Sequence, residues 1–251
     1  MENQPLVSVI MPCYNMEKYI SETIQSVQRQ TYPHWELLIV DDASNDRTPD
    51  IVQGFCEQDG RIHFIVKPKH SGIADTRNQC LAMAQGRYLA FLDSDDIWHP
   101  DKLQVQLEFM TKNGIGFSYS SYDCLDENGN PLKKTIKTVG ILDYESYLRN
   151  TIIGCSTVML DKSIVGEVFV PNFRTSEDAA TWLNILKKGH LAYAIDTPLV
   201  SYKIRRQSAS SNKLKASVDL WKVYRCQEKL ALPKALGCFS CYAFNAIKKR
   251  L

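Results

Sequence analysis

The segment of the sequence with the clearest chemical potential is an apolar run that ends in three carboxylates, Phe91-Leu92-Asp93-Ser94-Asp95-Asp96. Carboxylates this close together repel one another unless a cation neutralises them. Asp93 and Asp95 are two residues apart and can point the same way from an extended chain. A hard cation binds oxygen ligands and can share them with the phosphates of a substrate. The segment therefore predicts a metal and phosphate site, although alone it is equally typical of a solvated turn in which Asp96 caps the next helix.

Polar or aromatic residues also follow two earlier predicted strands. Asp41-Asp42 comes directly after the apolar run Leu37 to Val40, and Pro12-Cys13-Tyr14-Asn15 follows Val7 to Met11. Open α/β sheets bind ligands at the carboxyl ends of their parallel strands, so all three segments are expected at one rim. There Asp41 can accept hydrogen bonds from a base or ribose. Tyr14 can stack on a base, with ordinary packing at the sheet edge as an equal alternative.

Taken in order, these segments resemble the inverting family 2 glycosyltransferases of the GT-A fold, and the resemblance is close over residues 1–100. In that family the first strand leads into a nucleotide-base loop and the second into a uridine-binding loop. A later helix and a D-x-D segment close the donor site. The segments similar to those parts are Val7 to Asn15; Glu36 to Ser44 with Asp46 and Thr48; Gly72, Arg77-Asn78 and Gly86; and Phe91 to Asp96. Several motifs in one order are far more specific than any single motif.

The resemblance implies a UDP-sugar donor and a divalent metal ion, Mn²⁺ or Mg²⁺. It implies that Asp41 reads the uracil, that Asp93 binds the ribose or the metal, and that Asp95 binds the metal that bridges the diphosphate. Arg77 is expected near the donor phosphates or sugar, with a surface salt bridge on its helix as the alternative. The other donor contacts implied by the matching positions are Pro12, Tyr14, Asn15 and Ser94.

Farther along the chain, Ser176-Glu177-Asp178 opens a predicted helix. An acceptor hydroxyl needs a carboxylate within hydrogen-bonding reach to take its proton as it attacks the anomeric carbon. The segment resembles the family's E-D pair, whose aspartate is the catalytic base, and Asp178 is therefore the predicted base. The alternative is that these acidic residues only stabilise the first turn of the helix.

The segment Tyr202 to Ser210 resembles the part of the family that folds over the diphosphate. Many relatives have a histidine near the position of Arg205, whereas this chain has none there. An arginine cannot ligate a metal ion, so Arg205 and Arg206 are predicted to neutralise phosphate charge. A solvated basic loop is an equal alternative.

The hydrophobic pattern predicts the elements that position these residues. Strand and helix patterns alternate in the first half, which predicts a Rossmann-like, mostly parallel sheet with helices on both faces. Besides Val7 to Met11 and Leu37 to Val40, strands are predicted over Ile62 to Val66 and Tyr88 to Leu92. Helices are predicted around Ile20 to Val27, from Thr48 as N-cap with Pro49 as first helical residue, and after Pro100.

After Gly116 the alternation stops, and a mixed second half is predicted. Strands are expected at Phe117 to Tyr122, Ser156 to Leu160, Ala192 to Ile195 and Leu199 to Ile204, with a turn at Asn128-Gly129 and a helix over Glu177 to Lys188. No low-complexity linker divides the chain. We therefore expect one glycosyltransferase domain over residues 1–230, in which 1–100 bind the nucleotide sugar and 116–230 supply the acceptor contacts and the base.

Composition excludes several other classes of protein. The chain has 251 residues, 44% of them hydrophobic and 23% charged, with a net charge of +2. This balance is typical of a folded globular protein, and no dense basic stretch indicates a nucleic-acid partner. The N-terminus lacks the pattern of a signal peptide, and the eight cysteines are scattered, which predicts reduced thiols in the cytoplasm. Cys238 and Cys241 are expected to be helix residues, not zinc ligands.

The predicted function is transfer of a sugar to a glycan or lipid-linked saccharide, in bacterial surface polysaccharide synthesis. One alternative is a sugar-1-phosphate nucleotidyltransferase, which would need a glycine-rich basic loop where this chain has Pro12 to Asn15. A second is a catalytically silent binding subunit, against which Asp93, Asp95 and Asp178 argue.

The end of the chain, residues 231–251, is predicted to form an apolar and basic helix. Leu232 to Ile247 is apolar and aromatic, and Lys248-Lys249-Arg250 follows. A membrane-spanning helix needs about 20 mostly apolar residues, and this stretch is shorter and interrupted. A helix starting after Pro233 would either lie on the inner face of a membrane or dock on the domain or a second subunit.

Overall fold

The computed structural model describes residues 4–205 and 213–248 of the chain. The strands among these residues are β1 (Val7–Cys13), β2 (Trp35–Asp41), β3 (Ile62–Val66), β4 (Tyr88–Phe91), β5 (Ile97–Trp98), β6 (Phe117–Leu125), β7 (Pro131–Ile136), β8 (Met159–Asp161) and β9 (Tyr193–Lys203). The helices are α1 (Ile20–Gln28), α2 (Thr48–Cys56), α3 (Ile73–Met83), α4 (Lys102–Asn113), α5 (Tyr144–Arg149), α6 (Lys162–Val165), α7 (Glu177–Leu186), α8 (Lys213–Lys222) and α9 (Leu232–Lys248).

These strands form one sheet in the order β3-β2-β1-β4-β8-β6-β9-β5, and β7 pairs with β6. The four strands of the first half are parallel to one another. Strand β8 runs antiparallel to both of its neighbours, whereas β6 and β9 are parallel to each other. The parallel first half and the mixed second half are as predicted.

Alternating residues of β1 contribute to two separate cores, one on each face of the sheet. Val7, Val9 and Met11 pack with α1, α2 and α4 on one face. Ile10 packs on the other face with residues of α3, α5 and α7. Because helices cover both faces, every residue of β1 is buried, which is why its sequence reads as a continuous apolar run.

Gly86 lets the chain enter β4 close against β1. Its N–H donates to Ser8 Oγ at 2.8 Å, and the Ser8 hydroxyl in turn donates to Glu36 Oε1 at 2.6 Å. A Cβ at position 86 would lie 2.6 Å from the Leu6 carbonyl oxygen, which is backbone and cannot move aside. Only glycine therefore fits, and this contact sets the register in which β4 delivers its carboxyl end to the rim.

Several predicted boundaries are wrong. Thr48 is the first residue of α2 and Arg47 is its N-cap, because the Thr48 hydroxyl instead accepts the Met16 N–H at 2.7 Å. The predicted strand from Ser156 begins only at Met159, since Cys155–Thr157 forms a 3₁₀ turn.

Other corrections concern element ends. The two strands predicted after Gly189 are one strand, β9, whose pairing with β6 shifts register on either side of Ser121 and so accommodates the residues between them. Helix α7 ends at Leu186, before the predicted Lys188. Helix α9 begins at Leu232, not after Pro233.

Lys102, at the start of α4, is a fully buried cation. Its Nζ donates to Gln106 Oε1 at 2.5 Å and lies 4.1 Å from the centroid of the Trp98 ring. Neither partner carries a charge, and burial lowers the pKa of Lys102 to about 7. An unfolded lysine has a pKa of about 10.4. Above pH 7 the unfolded chain therefore binds more protons than the folded chain, and folding becomes more favourable as pH rises.

We expect the Lys102→Met variant to lose this pH dependence. Between about pH 7 and pH 8.5, the free energy of unfolding of the wild type should increase relative to that of the variant. The expected increase is up to about 1.4 kcal/mol per pH unit. Urea unfolding at both pH values measures the difference. Lys112→Met, on the exposed side of the same helix, is the matched control. Parallel pH profiles for wild type and Lys102→Met would contradict the assignment.

Candidate active site

The carboxyl ends of β1, β2 and β4 lie side by side at one rim of the sheet. Cys13 pairs with Asp41 across the two parallel strands, and Ile10 pairs with Phe91. The loop after β1 is tied to the loop after β2, because the Asn15 N–H donates to Ser44 Oγ at 2.8 Å. The rim expected from the sequence is therefore present.

Asp41 lies at the base of the loop that follows β2. It is fully buried, and its carboxylate accepts the Ser44 N–H at 2.7 Å and the Ser44 hydroxyl at 2.5 Å. The Cys13 thiol donates weakly to it at 3.6 Å, and burial, with the nearby Asp41 charge, raises the pKa of Cys13 well above its usual value. The carboxylate is thus held in place before any ligand arrives.

Asp42 organises a second loop, a role that the sequence did not reveal. Its carboxylate accepts the backbone N–H groups of Ser71 at 2.9 Å and Gly72 at 2.7 Å, and Lys67 Nζ lies 3.0 Å from it. Burial favours the neutral acid, but these three donors outweigh burial and lower the pKa of Asp42. Lys67 also contacts Asp75 Oδ2 at 2.6 Å. The acidic residue at the strand end was visible in the sequence, but its distant partners were not.

Two aromatic rings stand at the open side of the rim. The rings of Tyr14 and His70 are 4.5 Å apart and tilted by 44°. Tyr14 is 39% exposed, so one of its surfaces is available to a ligand. Pro12, the second-last residue of β1, is buried and pairs with Val40 of β2.

Arg77, on α3, connects the two parts of the site. It is only 2% exposed, donates from Nη2 to Asp93 Oδ1 at 2.8 Å and from Nη1 to Glu177 Oε1 at 3.3 Å. The surface salt bridge offered as the alternative is therefore wrong, because the Arg77 side chain and its partner Glu177 are both buried. Burial disfavours the guanidinium charge, but the surrounding anionic groups raise the pKa of Arg77 above its usual value.

The three carboxylates after β4 have three different environments. Asp93 is partly exposed and is held by Arg77, and its N–H donates to Ser156 Oγ at 3.0 Å. Asp95 Oδ2 contacts Arg205 Nε at 2.5 Å; burial and the Asp93 charge raise the pKa of Asp95 in spite of that arginine. Ser94, between them, is buried, and its carbonyl accepts the Thr23 hydroxyl at 3.2 Å.

Asp96 is a structural carboxyl group, and it does not cap the following helix. It is fully buried and accepts the Ser156 hydroxyl at 2.5 Å and the Lys203 N–H at 3.0 Å. Helix α4 begins later, at Lys102 after Asp101. Burial and the charges of Asp95 and Asp93 raise the pKa of Asp96 well above its usual value. Asp96 therefore ties β9 to the carboxylate segment.

Arg205 is not part of a solvated loop. It contacts Asp95, and its guanidinium carbon lies 5.2 Å from the centroid of the Tyr19 ring. A cation at this position is available to meet a phosphate group beside Asp95. Arg206, for which the sequence predicted a similar role, lies outside the described residues.

The described residues contain no cluster of three or more His, Cys, Asp or Glu side chains arranged to hold a metal ion. Two carboxylates nevertheless fit Mg²⁺ or Mn²⁺, because such ions commonly take one or two protein carboxylates and complete their shell with water and substrate phosphates. Asp93 and Asp95 supply oxygen ligands of that kind, two residues apart in the segment that follows β4. The donor set therefore fits a divalent ion shared with a diphosphate.

Asp178 lies in the first turn of α7, beside Glu177. Its carboxylate accepts the Ala179 N–H at 2.6 Å, and burial raises the pKa of Asp178. Burial and the Asp178 charge together raise the pKa of Glu177 to about 7, although Arg77 opposes them. Trp182, one turn later, packs edge-on against Phe91 with ring centroids 5.1 Å apart. This contact fixes the start of α7 next to the end of β4.

A cavity of about 350 Å³ lies between these two parts of the site. Residues 70–72 of the loop held by Asp42, with Ile73 and Ala74 at the start of α3, line one side. Residues 172–174, which precede Glu177 and Asp178, line the other. The cavity is large enough for a sugar ring, and its lining combines residues beside the Asp42 contacts with the segment that precedes α7.

Comparison with known sequences identifies a family. The sequence profile of glycosyl transferase family 2 matches residues 8–169. The chain is 50% identical over 248 residues to a candidate teichuronic acid biosynthesis glycosyltransferase, TuaG of Bacillus subtilis (strain 168), covering 99% of this chain and 98% of that protein. It is 41% identical over 220 residues to the UDP-Glc:alpha-D-GlcNAc-diphosphoundecaprenol beta-1,3-glucosyltransferase WfgD of Escherichia coli, covering 87% of this chain and 85% of WfgD.

Solved structures show the same fold. S. aureus TarS 1-349 in complex with UDP-GlcNAc superimposes with a TM-score of 0.72 at 20% identity, covering 87% of this chain and 64% of that one. The mannosyltransferase PcManGT of Pyrobaculum calidifontis, in complex with GDP-Man and Mn²⁺, gives a TM-score of 0.71 at 18% identity, covering 96% and 69%. The GT-A fold predicted from the sequence is confirmed.

We expect Arg77→Met to destabilise the fold by about 3 kcal/mol or more, because it leaves the buried Glu177 carboxylate and the partly exposed Asp93 carboxylate without their cation. Chemical denaturation measures the loss. The matched control is Lys234→Met, since Lys234 forms an exposed pair with Glu145 and its removal should cost no more than about 1 kcal/mol. If both variants lose the same free energy of unfolding, the buried ion pairs of Arg77 contribute no more to stability than an exposed pair.

Proposed function

The chain belongs to glycosyl transferase family 2, and from this premise we propose that it transfers a sugar from a UDP-sugar to a hydroxyl of a lipid-linked saccharide or other growing glycan. We propose that this reaction contributes to a bacterial surface polysaccharide and proceeds with inversion at the anomeric carbon. The observation that carries the proposal is that Arg77 donates to both Asp93 and Glu177. This places Asp93, a proposed metal ligand, near the Glu177-Asp178 pair.

The names of the relatives support this choice of substrates. WfgD is named for transfer of glucose from UDP-Glc to an undecaprenol-linked acceptor, and TuaG for teichuronic acid biosynthesis. TarS was solved with UDP-GlcNAc. The family match favours the glycosyltransferase over the nucleotidyltransferase alternative. The described cysteines are free thiols, which suits an enzyme that works in the reducing cytoplasm on the inner face of the membrane.

The donor is proposed to bind across the ends of β1, β2 and β4. Tyr14 would stack on the uracil and Asp41 would accept a hydrogen bond from its N–H, while Pro12, Asn15 and Ser94 shape the surrounding loops. Asp93 and Asp95 would hold Mn²⁺ or Mg²⁺, which when bound neutralises the diphosphate. Arg205 would add positive charge beside the same phosphates, having Asp95 as its partner until the donor binds.

Asp178 is proposed as the catalytic base. The acceptor sugar would occupy the cavity between residues 70–74 and 172–174, with its hydroxyl directed at Asp178. As the hydroxyl oxygen forms a bond to the anomeric carbon, the carboxylate takes its proton and the bond from that carbon to the diphosphate oxygen breaks on the opposite face. The raised pKa of Asp178 makes it a stronger base than an exposed aspartate. Arg77 is a positioning residue. Its contact with Asp93 would orient the donor side, and its contact with Glu177 would orient the start of α7, which carries Asp178.

We predict that Asp95→Ala folds but loses Mn²⁺-dependent binding of UDP, because it removes a ligand at the rim and no core side chain. Calorimetric titration with UDP, with and without Mn²⁺, measures the effect. Asp196→Ala, at an exposed position of β9, serves as the matched control. If Asp95→Ala still binds UDP more tightly when Mn²⁺ is added, the metal assignment is wrong.

We also predict that Asp178→Asn keeps UDP affinity but reduces the rate of sugar transfer by at least about 100-fold, the usual contribution of a positioned general base. Single-turnover transfer to a synthetic lipid-linked saccharide measures the rate, and the UDP-induced rise in melting temperature verifies the donor site. Transfer at more than a tenth of the wild-type rate would show that another group takes the proton.

A further inference from the structure

One face of α9 is docked on the rest of the chain. Ala235 and Cys238 are buried there, and the Phe239 ring packs edge-on against Trp221 with centroids 5.6 Å apart. Near the end of the helix, Asn245 Nδ2 donates to the Arg149 carbonyl at 3.2 Å. The docked helix foreseen from the sequence is therefore present on this face.

The opposite face of α9 is apolar and points outward. Leu232 and Leu236 are each 52% exposed and Phe244 is 68% exposed. Spacings of four and eight residues place these three side chains along one side of a helix. The sequence from Ala235 to Asn245 contains no charged residue, whereas the outward face of a helix in water is normally charged or polar. We call Leu232, Leu236 and Phe244 the outer face of α9; such a face is typical of a surface that is covered in use.

The chain that leads into α9 is rich in basic residues. The exposed charged residues in the segment that leads to and begins α9 are all basic: Lys215, Lys222, Arg225, Lys229 and Lys234. The acidic residues of the segment, Asp219 and Glu228, are buried and paired with lysines. Two of these exposed cations form ion pairs at the surface, Lys222 with Asp219 and Lys234 with Glu145 of α5. The printed sequence continues past the helix with Lys249 and Arg250.

We propose that the outer face of α9 binds the surface of an anionic lipid bilayer, with its three apolar side chains at the level of the acyl boundary and the lysines against the headgroups. A second copy of the chain is a poorer occupant, because a self-contact would bring the same basic residues together. No helix of the described residues is long and apolar enough to cross a membrane, so the helix would lie in the plane of the surface. The proposal does not depend on the transfer reaction.

The test is cosedimentation of the full chain with vesicles of phosphatidylglycerol or phosphatidylcholine. We expect binding to the anionic vesicles, weakened by salt, and little binding to the neutral ones. Leu236→Ser/Phe244→Ser should reduce the apparent affinity for anionic vesicles at least about tenfold. Phe169→Ser is the matched control, since Phe169 is an equally exposed aromatic residue away from α9, and it should bind like wild type.

Each other outcome overturns the proposal. If the full chain does not bind anionic vesicles, or binds neutral vesicles equally well, the outer face of α9 is not a binding site for anionic lipid. Dimerisation in light scattering that disappears in Leu236→Ser/Phe244→Ser, without vesicle binding, would assign the outer face to a self-contact. The UDP-induced rise in melting temperature is measured on every variant, so a lost donor site is distinguished from a lost membrane contact.

Discussion

A guanidinium group in the protein interior is tolerated only when carboxylates compensate its charge, and this requirement at Arg77 governs the geometry of the site. One carboxylate, Asp93, ends β4, and the other, Glu177, begins α7, 84 residues farther along the chain. The two can reach one arginine only if the second half of the chain folds back over the carboxyl ends of the parallel strands. The Arg77 guanidinium therefore holds the donor side of the site close to the start of α7, which carries the predicted base.

Apolar packing holds this electrostatic arrangement in place. Trp182 lies against both Phe91 and Phe117, so α7 cannot shift along the sheet without opening a core contact. Asp96 connects the carboxylate segment to β9 through the Lys203 N–H. As a result, Asp93 and Asp95 project from a fixed backbone, and little reorganisation is needed when a diphosphate arrives. Such preorganisation is the main means by which enzymes stabilise developing charge.

The sequence predicted the strand ends well and their partners poorly. Strands β1, β2 and β4 are mostly apolar, and polar residues stand at or within two residues of each strand end, so both the parallel sheet and the positions of Asp41 and Asp93 could be anticipated. The Asp42 contacts with Lys67 and Gly72, and the Glu177 contact with Arg77, join residues far apart in sequence. No local pattern encodes them. Thr48 was misassigned for the same reason, because its hydroxyl serves the distant Met16 N–H and not its own helix.

The most direct test of this account is a double-mutant cycle on the affinity for UDP in Mn²⁺, with Asp93→Asn and Glu177→Gln as the single changes. Among the described residues, Glu177 is linked to Asp93 through Arg77, so we expect the two effects to be coupled by about 1 kcal/mol or more. In an Arg77→Lys background the coupling should vanish, because a lysine ammonium cannot reproduce the fork of the guanidinium. Additive effects in the wild-type background, within about 0.3 kcal/mol, would contradict the claim that one buried charge joins the two halves of the site.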